Sequence, residues 1–411
     1  MKTLYHLLLL VLLQLPSLAQ TRTLNDYLQQ ATTNSPLLND LQQQQASNRI
    51  DSLRLRAGYG LLVDGSSNNL YAPNIHGWGY DEVITNGALV NAVVTVRKNF
   101  TGKQNLNTQL RAITLQNQAL DNNAVRTIQD LQRTITTQYI TTYGDLEQLH
   151  FTEETARLLR QEASLLKRMT DSNIYRQTDY LAFLVTVQQQ ELSLQQQELQ
   201  YRNDFATLNY LCGMVDTAAA DLAPPQLEVA ALPDAAHSAF FRQYQIDSLS
   251  LRNRHALVDY AYKPKLSAFV DGGYNSSLQL TPYKHFGSSV GLTVSVPIYD
   301  GHQRRMQHEQ LDIAEKTRLG YQDFFTRQYN QQLAQLHQQL AGTQALLANI
   351  NHQVKYAEGL VNINLKLLAT GDARIPDLVI ALDNYLTARN LLTQNTVSRL
   401  QLIAQINYWN K

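Results

Sequence analysis

Two pairs of oppositely charged residues occupy corresponding positions in the chain, and ion pairing is the chemistry that they could perform. Arg176 precedes Asp179 by three positions, and Arg374 precedes Asp377 by the same interval. On a helix this spacing puts both side chains on one face, where they can contact each other or a neighbouring helix. A solvated pair within one helix contributes less than about 1 kcal/mol. A link between neighbouring helices and a solvated surface pair are therefore both open interpretations.

Other residue types offer no reactive or metal-binding constellation. His302 and His308 lie six positions apart, so they do not share a helix face and no metal site is predicted. The single cysteine, Cys212, ends an apolar helix beside Gly213 and is expected to be a small packed residue. Neither a glycine-rich phosphate loop nor a nucleophile elbow occurs in the sequence. We therefore expect no catalytic residue, no cofactor and no enzyme activity.

The composition favours long regular elements and disfavours nucleic-acid binding. Of the 411 residues, 34 are Lys or Arg and 34 are Asp or Glu, with no basic cluster that could neutralise phosphates. A hydrophobic content of 44% excludes disorder of the whole chain. Only 10 prolines and 18 glycines interrupt the sequence, so long helices are allowed.

The first 19 residues are predicted to be a secretory signal peptide. Lys2 precedes an apolar stretch from Leu4 to Leu15, and the small residues Ser17 and Ala19 suit cleavage after Ala19. An uncleaved membrane anchor is the alternative, but the apolar stretch is short for a membrane span. Since no later apolar run has the length of a transmembrane helix, entry into a second membrane would require strands.

Hydrophobic periodicity predicts one series of elements that occurs twice. The first series comprises a helix over 23–54 with a break near 34–36, strands over 55–63 and 88–96, and helices over 102–169 and 179–211. The second comprises a helix over 237–262, strands over 266–270 and 290–298, and a helix over 303–368 in one heptad register. Roughly 65 helical residues span on the order of 100 Å, which suits a coiled-coil bundle or a tunnel wall.

Residue matches at one offset indicate an internal duplication. Asn209 and Tyr210 stand 198 positions before Asn407 and Tyr408, and the same offset superimposes the two Arg–Asp pairs. The predicted organisation is a signal peptide (1–19), a first repeat (20–222), a Pro/Ala-rich connector (223–236) and a second repeat (237–411). Each repeat contains a helix, a β-hairpin, a long helix and a further helix.

The predicted hairpins supply four strands, each with one apolar face and one face of small polar residues. A sheet with free edges is not viable in a bilayer, and four strands are too few to close a barrel, so several copies must contribute. Aromatic residues at strand ends and in adjoining loops would form a membrane-interface girdle. They are Tyr59, Tyr71, Trp78, Tyr80, Tyr274, Tyr283 and Phe286. The alternative is the edge of a soluble β-sandwich with ordinary surface tyrosines.

Two motifs resemble those of the TolC-like outer-membrane efflux proteins, and the resemblance extends over nearly the whole mature chain. The sequence VSVPIYDG at 294–301 is similar to the family's pattern of a strand, Pro, two apolar residues, Asp and Gly before a helix. The sequence TGDARIPDL at 370–378 is similar to the family's turn between the long helix and the returning helix. The first repeat departs from this pattern, since it lacks the Pro and Asp of the first motif and the glycine of the second.

The resemblance implies a mainly helical protein with a small transmembrane β part. Each chain of a homotrimer would contribute four strands to a 12-stranded β-barrel in outer-membrane lipid, continued by a long coiled-coil-like α-helical barrel in the periplasm of a Gram-negative bacterium. The implied function is the exit duct of a multi-component efflux or type I secretion system, which passively conducts substrates. The implied partners are a periplasmic adaptor (membrane-fusion) protein and an inner-membrane transporter. The alternative is a periplasmic adaptor or coiled-coil scaffold protein of a transport complex.

The resemblance also assigns roles to the helix tips. Arg374 and Asp377 match an Arg and an Asp of the family's periplasmic entrance, and Arg176 with Asp179 hold the corresponding place in the first repeat. Two turns between helices are expected to contact the adaptor. Their residues are Thr170, Asp171, Ser172 and Asn173 in the first repeat and Thr370, Gly371 and Asp372 in the second.

Overall fold

The computed structural model describes residues 21–85, 87–100, 102–216, 219–230, 238–278 and 281–410. The predicted signal peptide and residues 231–236 of the predicted connector lie outside the described residues. The chain forms two compact units. Unit 1 comprises the described residues up to Asn39, Val125–Ser238 and the residues from Phe325 onward, and unit 2 comprises Asp40–Ala124 and Ala239–Phe324. The predicted sequence repeats are a different division of the chain, and the duplication stays a prediction.

Helices dominate the described residues, and four strands accompany them. Apart from a one-turn helix at Glu82–Thr85 and a 3-10 turn at Pro282–Lys284, the helices are α1 (Leu24–Asn34), α2 (Pro36–Gly58), α3 (Lys103–Asp171), α4 (Gln177–Leu211), α5 (Ala239–Ala261), α6 (Gln303–Thr370) and α7 (Ile375–Trp409). The strands are β1 (Leu61–Tyr71), β2 (Ala88–Phe100), β3 (Lys265–Ser276) and β4 (Phe286–Ser295). Among the described residues, no helix combines the length and the hydropathy needed to cross a membrane.

The core of unit 1 follows the heptad positions that the sequence predicts. On α3, the predicted seam residues Leu149, Ala156, Leu159, Ala163 and Leu166 are buried. The polar seam residue Asn364 of α6 is also buried, and its amide donates to the carbonyl of Leu360 at 2.8 Å. This local hydrogen bond satisfies a buried polar group without a partner from another helix.

Gly144, the one glycine inside the predicted helix 102–169, lies where α3 and α7 approach closely. A Cβ atom at this position would overlap the side chain of Val397. The glycine is unfavourable for a helix interior by about 1 kcal/mol relative to alanine. The close approach of the two helices explains why a residue without a side chain stands there.

The connector is held by polar side chains of unit 1. The Tyr139 hydroxyl contacts the carbonyls of Arg22 at 2.9 Å and Ala223 at 2.7 Å. The Asn407 side chain accepts from the backbone N–H of Ala230 at 2.8 Å and donates to the carbonyl of Glu228 at 2.8 Å. These bonds satisfy backbone groups that lie outside regular structure.

Unit 2 contains one antiparallel sheet in the order β1-β2-β3-β4. Tyr71 pairs with Ala88 at the hairpin end, while Leu61 pairs with Lys98 toward the other end. Helices α2 and α5 precede β1 and β3, and helices α3 and α6 follow β2 and β4. All four connections lie at the end of the sheet opposite to the two hairpin connections. The four helix junctions of the sheet therefore lie at one of its ends.

The predicted boundaries of the first strand are wrong. Residues 55–58 belong to α2, and β1 runs to Tyr71 through residues 64–69, which the sequence analysis left in a loop. The alternation of Leu55 and Ala57 with polar residues was too short to separate a strand from the end of an amphipathic helix. Pairing with the strongly apolar β2 extends β1 through its Gly, Ser and Asn residues.

The last strand also ends earlier than predicted. β4 stops at Ser295, so Val296 and Ile298 lie beyond it. Pro297 has no N–H group and cannot continue a ladder of hydrogen bonds. Conversely, β3 runs to Ser276 and includes residues that the sequence analysis placed in a polar loop.

Candidate functional site

The strand register of unit 2 puts most of the apolar strand residues on one face, here called the apolar face. Val63, Val96, Val270 and Val290 form one continuous row across the sheet. Val290 is 79% exposed and Leu292 is 73% exposed, so nothing in the described chain covers this face. An exposed apolar surface of this kind indicates contact with lipid or with another apolar surface.

The opposite face of the sheet, here called the polar face, carries mainly small and hydrophilic side chains. Its apolar exceptions are Leu62, Leu70, Leu89, Val93 and Phe269. Asp64, Thr95, Asp271 and Ser289 form one of its rows. The Ser289 hydroxyl donates to Oδ1 of Asp271 at 2.8 Å. One face thus suits lipid and the other suits water, as the predicted alternation requires.

The sheet is open at both edges. β1 pairs only with β2, and β4 pairs only with β3, among the described strands. The outer N–H and C=O groups of β1 and β4 therefore have no strand partner in the single chain. Such edges are unstable in a membrane and reactive toward other strands in water.

Most of the predicted interface aromatics lie at the hairpin end of the sheet. Tyr274 and Phe286 pack on the apolar face with ring centroids 5.3 Å apart. The strongly exposed members of the set are Tyr71, Trp78, Tyr80, Tyr283 and Phe286. Tyr59 differs, because it is half-buried in the turn between α2 and β1 at the helix end.

The sequence analysis missed two aromatic residues at the helix end of the sheet. Phe100 ends β2 on the apolar face and is 51% exposed, and Tyr299 follows β4 and is 79% exposed. Both belong to strand-to-helix junctions, and the position of an aromatic residue at such a junction was the signal that could have found them. Aromatic residues thus flank the apolar face at both ends.

The two predicted adaptor-contacting turns have the same backbone structure. Asn173 has a φ of 59°, and the N–H of Ile174 donates to the carbonyl of Met169 at 2.9 Å. Gly371 has a φ of 83°, and the N–H of Asp372 donates to the carbonyl of Leu367 at 3.0 Å. Both are left-handed helix terminations of the Schellman type, and asparagine is the residue that most readily replaces glycine there.

The two turns lie beside each other. A Cβ atom at Gly371 would stand 3.0 Å from Cγ2 of Ile174. Below them, the apolar side chains of both hairpins share one buried cluster, which includes Phe183 of α4 and Leu368 and Leu378 of α6 and α7. The turns are therefore positioned by a common core.

The four predicted entrance residues all stand at helix starts. Arg374 Nε lies 3.9 Å from Asp377 Oδ2, with the two side chains 80% and 51% exposed. The backbone N–H of Arg176 donates to Oδ2 of Asp179 at 3.4 Å. No ion pair joins Arg176 to Asp179 among the residues that the structure describes. Within one chain these charges are solvated helix-start residues, and their role between chains stays a prediction.

The offset of 198 positions also relates α4 and α7, the helices that follow the two turns. α4 covers Gln177–Leu211 and α7 covers Ile375–Trp409, so both ends of the two helices differ by 198 positions. Asn209, which donates to the Asp216 carbonyl, corresponds to Asn407, which holds Glu228. The offset that the sequence analysis found therefore joins residues with similar structural environments.

Comparison with known proteins gives matches in structure only. No protein-family profile and no curated protein sequence matches the chain. The outer-membrane protein VceC of Vibrio cholerae aligns with a TM-score of 0.74 at 13% identity, over 94% of this chain and 96% of that one. CusC aligns with a TM-score of 0.77 at 11% identity, over 95% and 92% of the two chains.

The outer-membrane channel MtrE of Neisseria gonorrhoeae is a third similar structure, with a TM-score of 0.73 at 11% identity over 94% of this chain and 88% of that one. The chain has the fold of the TolC-like outer-membrane channels. At this level of identity the likeness establishes the fold, which here includes the long helices and the four-stranded sheet.

Within the TolC-like fold, the motif at 294–301 has a clear structural reason. Asp300 accepts the backbone N–H groups of His302 at 2.9 Å and Arg304 at 2.8 Å, and it thereby caps α6. These hydrogen bonds, chiefly that from Arg304, lower the pKa of the Asp300 carboxyl. Gly301 has a φ of 62°, a conformation that glycine adopts without strain.

In unit 1, the carboxyl groups of Asp145 on α3 and Asp204 on α4 lie beside each other. Oδ2 of Asp145 is buried and has no hydrogen-bond partner among the described residues. Burial, with a smaller effect of the neighbouring Asp204 carboxylate, raises the pKa of Asp145 to about 7. Asp204 is held by the Gln138 amide, which donates to its Oδ1 at 3.0 Å. Asp145 is thus the group that takes up the proton.

Replacing Asp145 by asparagine is expected to stabilise the protein in a pH-dependent way. Because the folded pKa is raised from 3.8 to about 7, the folded state gains stability from this site at low pH and loses it as pH rises toward 7. After a discount for solvent screening, Asp145→Asn should raise the unfolding free energy by about 1–2 kcal/mol at pH 8. It should have little effect at pH 4. Chemical denaturation of the detergent-solubilised protein at both pH values measures this difference.

The exposed carboxyl of Glu153, on the same helix, supplies the control. Glu153→Gln should leave the pH dependence of unfolding unchanged. An equal gain from Asp145→Asn at both pH values would show that the effect comes from the size or helix propensity of asparagine and not from the proton.

Proposed function

We propose that the protein is an outer-membrane channel of a Gram-negative bacterium that serves as the exit duct of a multi-component efflux or type I secretion system. The observation that carries the proposal is the open sheet, whose apolar face is uncovered and whose two edges are unpaired. The apolar face is unfavourable in water and suits lipid, whereas the unpaired edges of a lone chain are not viable in lipid. The likeness of the whole chain to outer-membrane channels supports the same conclusion.

Three copies would close the sheet into one barrel. β1 of one chain would pair with β4 of the next, which gives 12 strands and satisfies every edge. Twelve strands lie within the range of outer-membrane barrels. The apolar face would then contact lipid, and the polar face would line a water-filled passage.

The dimensions of the apolar face agree with this arrangement. From Phe286 to Val294 the side chains on this face are all apolar except Ser288. At about 3.4 Å per residue these positions span about 27 Å along the strand, which at a tilt of about 40° is about 21 Å along the barrel axis and covers most of the band of about 25 Å in such barrels. Phe286 and Tyr274 would lie at the outer interface, and Phe100 would lie at the periplasmic interface.

Conduction through such a duct requires no chemistry by the protein, so we propose that it is passive and is driven by an inner-membrane transporter. A periplasmic adaptor would join the transporter to the turns at 170–173 and 370–372. Their exposed polar residues and their shared core make them a preformed contact surface. The alternative of an adaptor or scaffold protein is not favoured, because the similar structures are channels.

The assembly test uses the outer-membrane fraction of cells that express the full chain. A trimer band that converts to monomer only on heating is the expected result. A soluble periplasmic monomer would overturn the proposal. Cleavage after Ala19, read from the mass of the same material, tests the predicted signal peptide.

The entrance residues are tested by conductance in planar lipid bilayers. Arg374→Ser or Asp377→Ala should raise the conductance severalfold if the ring of charges from three chains holds the entrance closed. Arg202→Ser is the matched control, because Arg202 pairs with Glu198 at 2.6 Å within α4, away from the helix start. Unchanged conductance in both entrance variants would remove these residues from the gate.

A further inference from the structure

Two histidines of unit 2 meet between α5 and α6. Nδ1 of His255 lies 2.7 Å from Nδ1 of His308, and the ring planes differ by 16° with centroids 5.0 Å apart. The centroid separation exceeds the nitrogen separation by about two ring radii, so the rings lie edge to edge in nearly one plane. The two Nδ1 atoms therefore point directly at each other.

A carboxylate lies at the outer nitrogen of each ring. Nε2 of His308 is 3.0 Å from Oδ1 of Asp259, and Nε2 of His255 is 3.6 Å from Oδ1 of Asp312. Arg304 donates to the same Oδ1 of Asp259 at 2.7 Å. The result is a continuous polar chain between the two helices.

The hydrogen bonds of these side chains define which ring nitrogen atoms carry protons. A carboxylate only accepts, so Nε2 of His308 carries the proton of its 3.0 Å bond to Asp259, whereas the 3.6 Å contact of His255 Nε2 with Asp312 is too long for a hydrogen bond. The short contact between the two Nδ1 atoms needs one further proton, which one atom donates and the other accepts. Two protons satisfy both bonds, with His308 accepting at Nδ1 and His255 donating from Nδ1.

We propose that His255 and His308 form a proton-bridged contact, here called the latch. The latch joins α5 to α6, and it separates in acid. Protonation of both rings would place two N–H groups head to head across the contact, and the two positive rings would separate. The side chains are 30% and 28% exposed, so the proton can exchange with solvent. His255 lies 10 residues before the start of β3 and His308 lies 13 residues after the end of β4, so opening of the latch would change the helix spacing at that end of the sheet.

The charges around the rings are consistent with this account. The charged groups that contact them are Asp259 on α5 and Asp312 on α6, with Arg304 acting through Asp259. The long helix α3 contacts α5 nearby through Thr108 and Gln104, which carry no charge. The charged neighbours of the latch named here therefore belong to α5 and α6.

A metal ion fits the geometry less well than a proton. Two metal–nitrogen bonds of about 2.0 Å at a tetrahedral angle would hold the Nδ1 atoms about 3.3 Å apart, beyond the observed 2.7 Å. No group of three or more His, Cys, Asp or Glu residues in the described chain has the arrangement of a metal site.

The test is a double-mutant cycle on the full-length protein in detergent with EDTA, using His255→Gln, His308→Gln and the double variant. At pH 8 each single change should increase the unfolding rate about tenfold, and the double variant should unfold no faster than either single variant. At pH 5 the coupling should vanish. His352→Gln, at an exposed position on α6, is the control and should change nothing.

Additive effects at pH 8, or the same coupling at pH 5, would overturn the latch. Coupling that appears only after addition of Zn²⁺ would show that a metal ion, and not a proton, joins the two rings, and it would also overturn the proposal. In planar bilayers the wild-type conductance should change between pH 8 and pH 5, and that of the double variant should not. Failure of all variants to form channels would count against the proposed function and would leave the unfolding cycle to decide on the latch.

Discussion

Val290→Arg is expected to abolish the heat-modifiable trimer in the outer-membrane fraction. Val290 lies midway along β4 on the apolar face and is 79% exposed in the single chain. An arginine that faces lipid near the bilayer midplane costs about 2–4 kcal/mol, and a trimer carries three of them. Western blots of heated and unheated membrane fractions measure the loss.

The matched control is Thr293→Arg, which adds the same side chain to the polar face of the same strand. A lumen-facing arginine remains hydrated, so this variant should still assemble and should alter only conductance. If both variants assembled equally well, the apolar face would not contact lipid, and the barrel arrangement would be wrong.

Phe183→Ala is expected to destabilise the helix tips by about 3–5 kcal/mol, the usual range for removal of a buried phenylalanine. The Phe183 side chain is 0% exposed and lies in the cluster that joins α3, α4, α6 and α7. Its loss leaves a cavity beneath both turns. Denaturant unfolding, with limited proteolysis at residues 170–176 and 370–375, measures the effect.

Val185→Ala provides the comparison, since Val185 stands two residues away on α4 and is 64% exposed. It should change the unfolding free energy by less than about 0.5 kcal/mol. Equal sensitivity of the two variants to protease would mean that the tip is not organised around this core.

Local patterns in the sequence predicted the long helices closely and the positions of all four strands, with errors of several residues at the strand ends. The heptad seam on α3 is buried at Leu149, Leu159 and Leu166, as predicted, because a repeat of apolar residues specifies one helix face. The strands β2, β3 and β4 alternate as predicted, with apolar residues on one face. The full length of β1 was not predicted, because its Gly, Ser and Asn residues have low strand propensity and adopt the extended conformation by pairing with β2.

The turns between the helices were also located in advance, although not their shared conformation. The sequence analysis treated the missing glycine of the first turn as a departure from the second. Asn173 nevertheless adopts the left-handed conformation that Gly371 adopts. Asparagine adopts the left-handed conformation more readily than other residues with a side chain. The two turns therefore have the same backbone conformation although their residues differ.

The sequence by itself determined which residues form helices and strands and which strand faces are apolar, because these properties depend on neighbours within a few positions. Only the tertiary structure decided the register that collects four apolar faces on one side of the sheet. It also decided the meetings of His255 with His308 and of Asp145 with Asp204. These residues are more than 50 positions apart, and their contacts arise from helix packing, which no local pattern encodes.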